Sequence, residues 1–163
     1  MYAELYYLIM IFLAIMFTWF MFVNYILTYP DRVGPKIDST FDLSGFDVIG
    51  DFPQCMQKEQ EQLYIFVSAD CSQCKSILNE MQENYLKYQY YVTIVAVGDN
   101  ADITEWKAKS GYNFPIICVS FETLKKEFNI TIIPFAVKTS GLTIKGKSVF
   151  YEQYLVEKFG EID

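Results

Sequence analysis

Leu63-Tyr64-Ile65-Phe66-Val67-Ser68-Ala69-Asp70-Cys71-Ser72-Gln73-Cys74 is the stretch on which the reading of this chain turns. Leu63 to Val67 is a short apolar run of the buried-strand type, and a helical pattern begins near Ser72. A C-x-x-C at such a strand-to-helix junction can close and open as a disulfide. Its first sulfur meets the helix N-terminus, where unpaired N–H groups and the helix dipole favour thiolate over thiol. The thiolate is the species that attacks another disulfide. The competing assignment is part of a zinc site, which takes four ligands. The chain has no His, and Cys55 and Cys118 stand apart from each other and from the pair. The spacing therefore favours redox chemistry over metal, with no metal or organic cofactor required.

Working outward, 163 residues allow one domain and an appendage. A hydrophobic content of 52% is high for a soluble domain, and one segment accounts for part of it. Leu5 to Val23, LYYLIMIFLAIMFTWFMFV, holds no charge, Gly or Pro. At about 1.5 Å per residue it reaches roughly 28 Å, close to the thickness of a hydrocarbon core. Tyr2, Tyr6 and Tyr7 stand at one end and Trp19, Tyr25 and Tyr29 towards the other, as interfacial aromatics do. No basic n-region precedes the run and no small-x-small site follows, which argues against a cleaved signal peptide. The expectation is one uncleaved span, with residues 5–27 in the lipid bilayer. Arg32 and Lys36 follow it, which by the positive-inside rule places the rest in the cytoplasm. Disulfide chemistry argues the other way, because disulfides persist outside the plasma membrane. The chemistry is given precedence: a single-pass cell-membrane protein with an extracytoplasmic catalytic domain. The net charge is −7 and no basic stripe appears, so nucleic acid is excluded as a partner.

The expected organisation is an anchor over 1–29, a connector over 30–55 and a domain over 56–163. The connector carries Pro30, Gly34, Pro35, Gly45 and Gly50, a composition that ends a helix and favours turns. A short hairpin is expected around Phe41 to Val48. Leu63–Ser68, Val92–Val97 and Phe114–Val119 read as strands. Ser72–Tyr88, Asp99–Ser110 and Glu122–Phe128 read as helices, with Gly111 stopping the second. Phe135–Lys138 and Leu142–Lys147 read as a hairpin around Ser140-Gly141, and Tyr151–Phe159 as a final helix. Alternation of this kind predicts an α/β fold: a central mixed sheet flanked by helices, parallel in its early strands and antiparallel at its last pair. The order fits a thioredoxin-like fold with the dithiol after the first core strand.

Cys71 is the natural attacker and Cys74, one turn in, the natural resolver. Lys75 favours the thiolate by charge, whereas Asp70 opposes it. Ile133 and Pro134 form the expected substrate-binding pair. Pro134 opens an apolar strand some sixty residues beyond the dithiol, where proline is tolerated. By analogy of fold, its peptide bond is expected to be cis, exposing the Ile133 backbone to a substrate strand.

The stretch Phe66 to Lys75 resembles the active site of membrane-anchored thioredoxin-like proteins of the MauD-like, TlpA-type family, accessory to methylamine dehydrogenase. So do Val33-Gly34-Pro35 to Phe41-Asp42-Leu43, Val119 to Leu124, Ile133-Pro134-Phe135-Ala136-Val137 and Ile144-Lys145-Gly146-Lys147. The resemblance implies a thiol-disulfide oxidoreductase that forms, reduces or isomerises disulfides in a cysteine-containing secreted or extracytoplasmic protein. It implies Cys71 as nucleophile, Cys74 as resolver, Pro134 as substrate-loop proline, and a membrane redox partner that resets the pair. Two departures stand out. Asp70 occupies a position that is often aromatic, and Ile65 a position that often holds a buried acid. Two other readings keep the same fold: an assembly protein without turnover, and a reductase facing the cytoplasm.

The remaining features carry less. Cys118, ending an apolar strand, reads as a small buried hydrophobe. Cys55 is open to bonding with Cys118, to shuttling with Cys71 or Cys74, or to pairing with another chain. Asn129-Ile130-Thr131 matches a glycosylation sequon by chance, and Tyr85, Tyr88, Tyr90, Tyr91 and Tyr112 read as packing.

Overall fold

The computed structural model of the chain describes residues 2–49 and 61–149. Cys55 and the expected helix over 151–159 lie outside them. The chain divides into two compact units, Met1–Arg32 and Val33–Asp163.

The first unit is one helix, α1 (Tyr2–Arg32, 31 residues). The side chains described in it, at 6–7 and 9–23, include a row of exposed large apolar groups from Ile9 to Phe22. Among the described residues, no helix is long and apolar enough to cross a membrane.

The second unit is built on a six-stranded sheet in the order β1-β4-β3-β2-β5-β6. Its strands are β1 (Asp47–Ile49), β2 (Glu61–Ser68), β3 (Val92–Val97), β4 (Ile116–Val119), β5 (Phe135–Ser140) and β6 (Thr143–Ser148). The strands β2, β3 and β4 run parallel, while β5 and β6 are antiparallel to their neighbours. The near-continuous apolar runs of β2 and β3 suit central strands covered on both faces. All six residues of β3 are buried.

One face carries Leu63, Ile65 and Val67 of β2, in a core with Cys74, Ile77, Leu78 and Met81 of α2 (Ser72–Glu83) and Ile103 of α4 (Asn100–Ser110). Successive strand residues point to opposite faces, so Tyr64 and Phe66 project the other way. There they meet an aromatic cluster. The Phe41 ring lies 4.9 Å from Tyr64 and 6.2 Å from Phe66, and Phe128 lies 5.4 Å from Phe41 and 6.1 Å from Phe66. Phe128 follows α5 (Phe121–Glu127), whose N-cap Ser120 accepts the Thr123 N–H at 3.1 Å. Gly111 ends α4 in the left-handed conformation at φ 71°, as a C-terminal glycine can without cost to a side chain.

Three expectations are corrected. The helix expected over Ser72–Tyr88 is interrupted: α2 stops at Glu83 and α3 (Tyr85–Tyr88) begins after Asn84. The Asn84 amide donates to the Glu80 carbonyl at 3.2 Å, so this side chain competes for helical backbone acceptors. The hairpin expected around Phe41–Val48 does not form. Instead, Thr40 bridges to Thr143, and Asp47–Ile49 pair antiparallel with β4. The third strand is shorter than Phe114–Val119, starting at Ile116 after buried Phe114 and Pro115.

Candidate active site

Strand β2 delivers the dithiol. Ser68 ends it, and the Cys71 N–H donates back to the Ser68 carbonyl at 3.2 Å, which turns the chain into α2. Cys71 is the N-cap, in the extended conformation that caps adopt. Its carbonyl accepts the Lys75 N–H at 3.1 Å, and its sulfur accepts the Cys74 N–H, also at 3.1 Å. Cys71 and Cys74 are joined as a disulfide with Cα atoms 5.2 Å apart. Cys71 is half-buried, whereas Cys74 is fully buried in the core. Asp70, Ser72, Gln73 and Lys75 are exposed around them. The donor aimed at the Cys71 sulfur, at a helix N-terminus, is one that a thiolate would use after reduction. The acidic position absent from the sequence is absent in space as well: Ile65 is wholly buried among apolar neighbours on the Cys74 face.

Because β2, β3 and β4 are parallel, their C-terminal ends open at one edge of the sheet. Cys71, Asp99-Asn100 and Ser120-Phe121 all leave from that edge. The antiparallel β5 begins there. Phe135 pairs with Phe66, so Pro134 and Ile133 precede it on the dithiol side. The Ile133–Pro134 bond is cis, as expected. Pro134 is buried, Ile133 is half-buried, and Ile133 and Cys71 pack against the same core. All four residues expected at the site thus occupy one end of the fold.

A further corner at this end was not foreseen. Asp47 of β1 pairs in register with Cys118 of β4, and the Asn100 amide donates to the Asp47 carboxylate at 3.0 Å. Cys118 is buried and free, and its thiol donates to the Gly98 carbonyl at 3.3 Å. Burial pushes the Cys118 thiol above its ordinary range, and the Asp47 and Asp99 carboxylates push it further. This thiol is therefore a packing group rather than a nucleophile. Nothing in the three residues of β1 taken alone signals a strand, and only the pairing partner gives it away.

Comparison with known proteins bears on the fold. StoA from Bacillus subtilis superposes with a TM-score of 0.52 at 23% identity, covering 68% of this chain and 95% of that one. A putative protein disulfide isomerase from Bacteroides thetaiotaomicron superposes at 0.57 with 12% identity, covering 80% of this chain and 92% of that one. The exposed lipoprotein thioredoxin Etrx1 from Streptococcus pneumoniae superposes at 0.54 with 16% identity, covering 64% and 87%. The fold is thioredoxin-like. No family model matches the chain, and no curated protein matches it.

Proposed function

We propose that this chain is a thiol-disulfide oxidoreductase that forms, reduces or isomerises disulfides in a cysteine-containing protein. The observation that carries the reading is the disulfide joining half-exposed Cys71, capping α2, to buried Cys74. One sulfur can be reached and the other cannot, which is the asymmetry that sequential exchange requires. In the oxidising direction, a substrate thiolate attacks the Cys71 sulfur. The Cys71–Cys74 bond breaks, and its electron pair leaves on Cys74, which takes a proton from water. A second substrate thiolate then attacks the substrate sulfur of the mixed disulfide and releases Cys71 as a thiolate. The substrate gives two electrons to the cysteine pair and, on forming its two thiolates, two protons to the solvent; one of these is balanced by the proton that Cys74 takes up, and the other stays in solvent while Cys71 remains a thiolate. The reducing direction reverses each step. With Ile65 where an acid would aid proton transfer at Cys74, and Lys75 on the exposed side of α2, water is the proton carrier. Ile133 and Pro134 supply the backbone edge on which a substrate strand docks.

The finer reading is a membrane-tethered protein of the MauD-like type, with its domain outside the cytoplasm and a membrane partner that resets the dithiol. Its support is the charge-free run Leu5–Val23 within a 31-residue helix whose described large apolar side chains, from Ile9 to Phe22, are exposed. A contiguous apolar surface of this kind calls for a partner or a lipid phase. Labelling of reduced intact cells with a membrane-impermeant thiol reagent tests the orientation. Modification of Cys71 before lysis is expected, and modification only after lysis contradicts it. The activity itself is tested by reduction of a disulfide-bonded protein such as insulin with the pre-reduced chain. The rate is expected to fall to background in Cys71→Ala, and a rate equal to that of the unmodified chain contradicts the proposal.

A further inference from the structure

The segment Asn129–Phe135 leads from the end of α5 into β5 and carries Ile132-Ile133-Pro134 to the dithiol end of the sheet. Both of its ends meet a single residue that is distant in sequence. At the near end, the Gly34 N–H donates to the Asn129 carbonyl at 2.8 Å. At the far end, the Phe135 ring, 1% exposed, lies directly against Gly34. Two independent features reserve this position for glycine. Its φ is +82°, a conformation that a residue with a side chain rarely adopts. A Cβ built on it would also stand 2.7 Å from Phe135 Cε1, well inside contact distance. The surroundings hold Gly34 in place. The Lys147 ammonium donates to the Val33 carbonyl at 2.8 Å, Val33 is buried, and the chain beyond returns to β6 through the Ser39 carbonyl and Ile144 N–H, 3.1 Å apart. Asn129 itself has φ +53°, and Ile130 N–H closes on the Leu124 carbonyl at 3.2 Å, so the near end is a tight turn.

We propose that Gly34 is a positioning residue for substrate docking. By holding Asn129 and Phe135 together, it fixes the segment between them and sets the Ile133 backbone at the height where an extended cysteine-containing peptide reaches Cys71. This rests on the exchange function proposed above. Gly34 touches neither sulfur nor substrate, so a change there acts on docking and leaves the intrinsic reactivity of the dithiol alone.

The test uses the full chain, purified in detergent and pre-reduced, with oxidation to the Cys71–Cys74 disulfide followed by acid quench and alkylation. One oxidant is a disulfide-linked pair of extended octapeptides, which needs a docking edge. The other is 2-hydroxyethyl disulfide, which has no peptide backbone to dock. In Gly34→Ala the half-saturating peptide concentration is expected to rise about tenfold, with the saturated rate and the rate on the small disulfide within about twofold. If Gly34→Ala does not fold, Phe135→Leu probes the same contact from its other side and is expected to raise the peptide half-saturation while sparing the small disulfide. A peptide half-saturation that does not move in the folded variant, or equal slowing on both oxidants, overturns the proposal. If the unmodified chain is oxidised by neither disulfide, the functional reading itself fails and takes this proposal with it.

Discussion

At the scale of the residue, Cys71 and Cys74 are three positions apart yet face different media, one at the rim and one in the core. That difference predicts which variant traps a substrate. Cys74→Ala keeps the attacking sulfur and removes the resolving one, so a mixed disulfide through Cys71 is expected to accumulate on non-reducing gels. Cys71→Ala is expected to form none, and equal trapping by both would contradict the assignment. The third described cysteine behaves otherwise. With its thiol pushed up by burial and by Asp47 and Asp99, native Cys118 is expected to resist iodoacetamide at pH 8 and to react once the chain is unfolded. Tyr64 gives a pH dependence of its own. Burial, and secondarily the Asp42 charge, push its hydroxyl up to about 12 from an ordinary 10.0. Between those values, the unfolded chain has shed a proton that the folded chain retains. Stability is therefore full below about pH 10 and is lost as pH rises towards 12, by on the order of 2–3 kcal/mol. Urea denaturation across that window is expected to show the loss in the parent and a smaller one in Tyr64→Phe. The dithiol was legible because residue type and spacing carry it, and the cis Ile133–Pro134 bond was legible only through the analogy of fold. The roles of Asp47 and Gly34 were not, because each depends on a partner far away in sequence.

At the scale of the element, the aromatic face of the sheet shows what periodicity misses. The strands and helices between Leu63 and Ser148 were legible for the most part because buried runs and one-faced helices leave repeating patterns. Phe41 and Leu43 belong to no regular element and sit among Pro, Gly and Asp, so their sequence reads as a connector. Burial of Phe41 to 3% exposure against Tyr64, Phe66 and Phe128 makes this stretch part of the core instead. Phe41→Ala is accordingly expected to cost about 3–5 kcal/mol in urea denaturation, the range for a large buried ring. A loss below about 1 kcal/mol would show the aromatic cluster to be peripheral. The break at Asn84 was missed for a related reason. Ile77, Met81, Tyr85 and Tyr88 keep a helical spacing across it, and a spacing rule does not register a side-chain amide that takes a backbone carbonyl.

At the scale of the whole molecule, the fold brings three parallel strand ends and the start of an antiparallel strand to one edge, and the Cys71–Cys74 disulfide sits there. The proposed tether adds a separate unit ending at Arg32. On that reading, the full chain is expected to sediment with membranes and to require detergent for release, and recovery from washed membranes by salt alone would contradict it. The central claim, however, concerns the sulfurs alone. It is tested most directly by equilibrating the purified chain in glutathione buffers of stepped potential and alkylating the free thiols. The account predicts one transition in which Cys71 and Cys74 become labelled together, with a two-electron slope of about 30 mV per tenfold change in the redox ratio. A pair that stays oxidised or stays reduced across the whole series, or that is labelled one cysteine at a time, would contradict it.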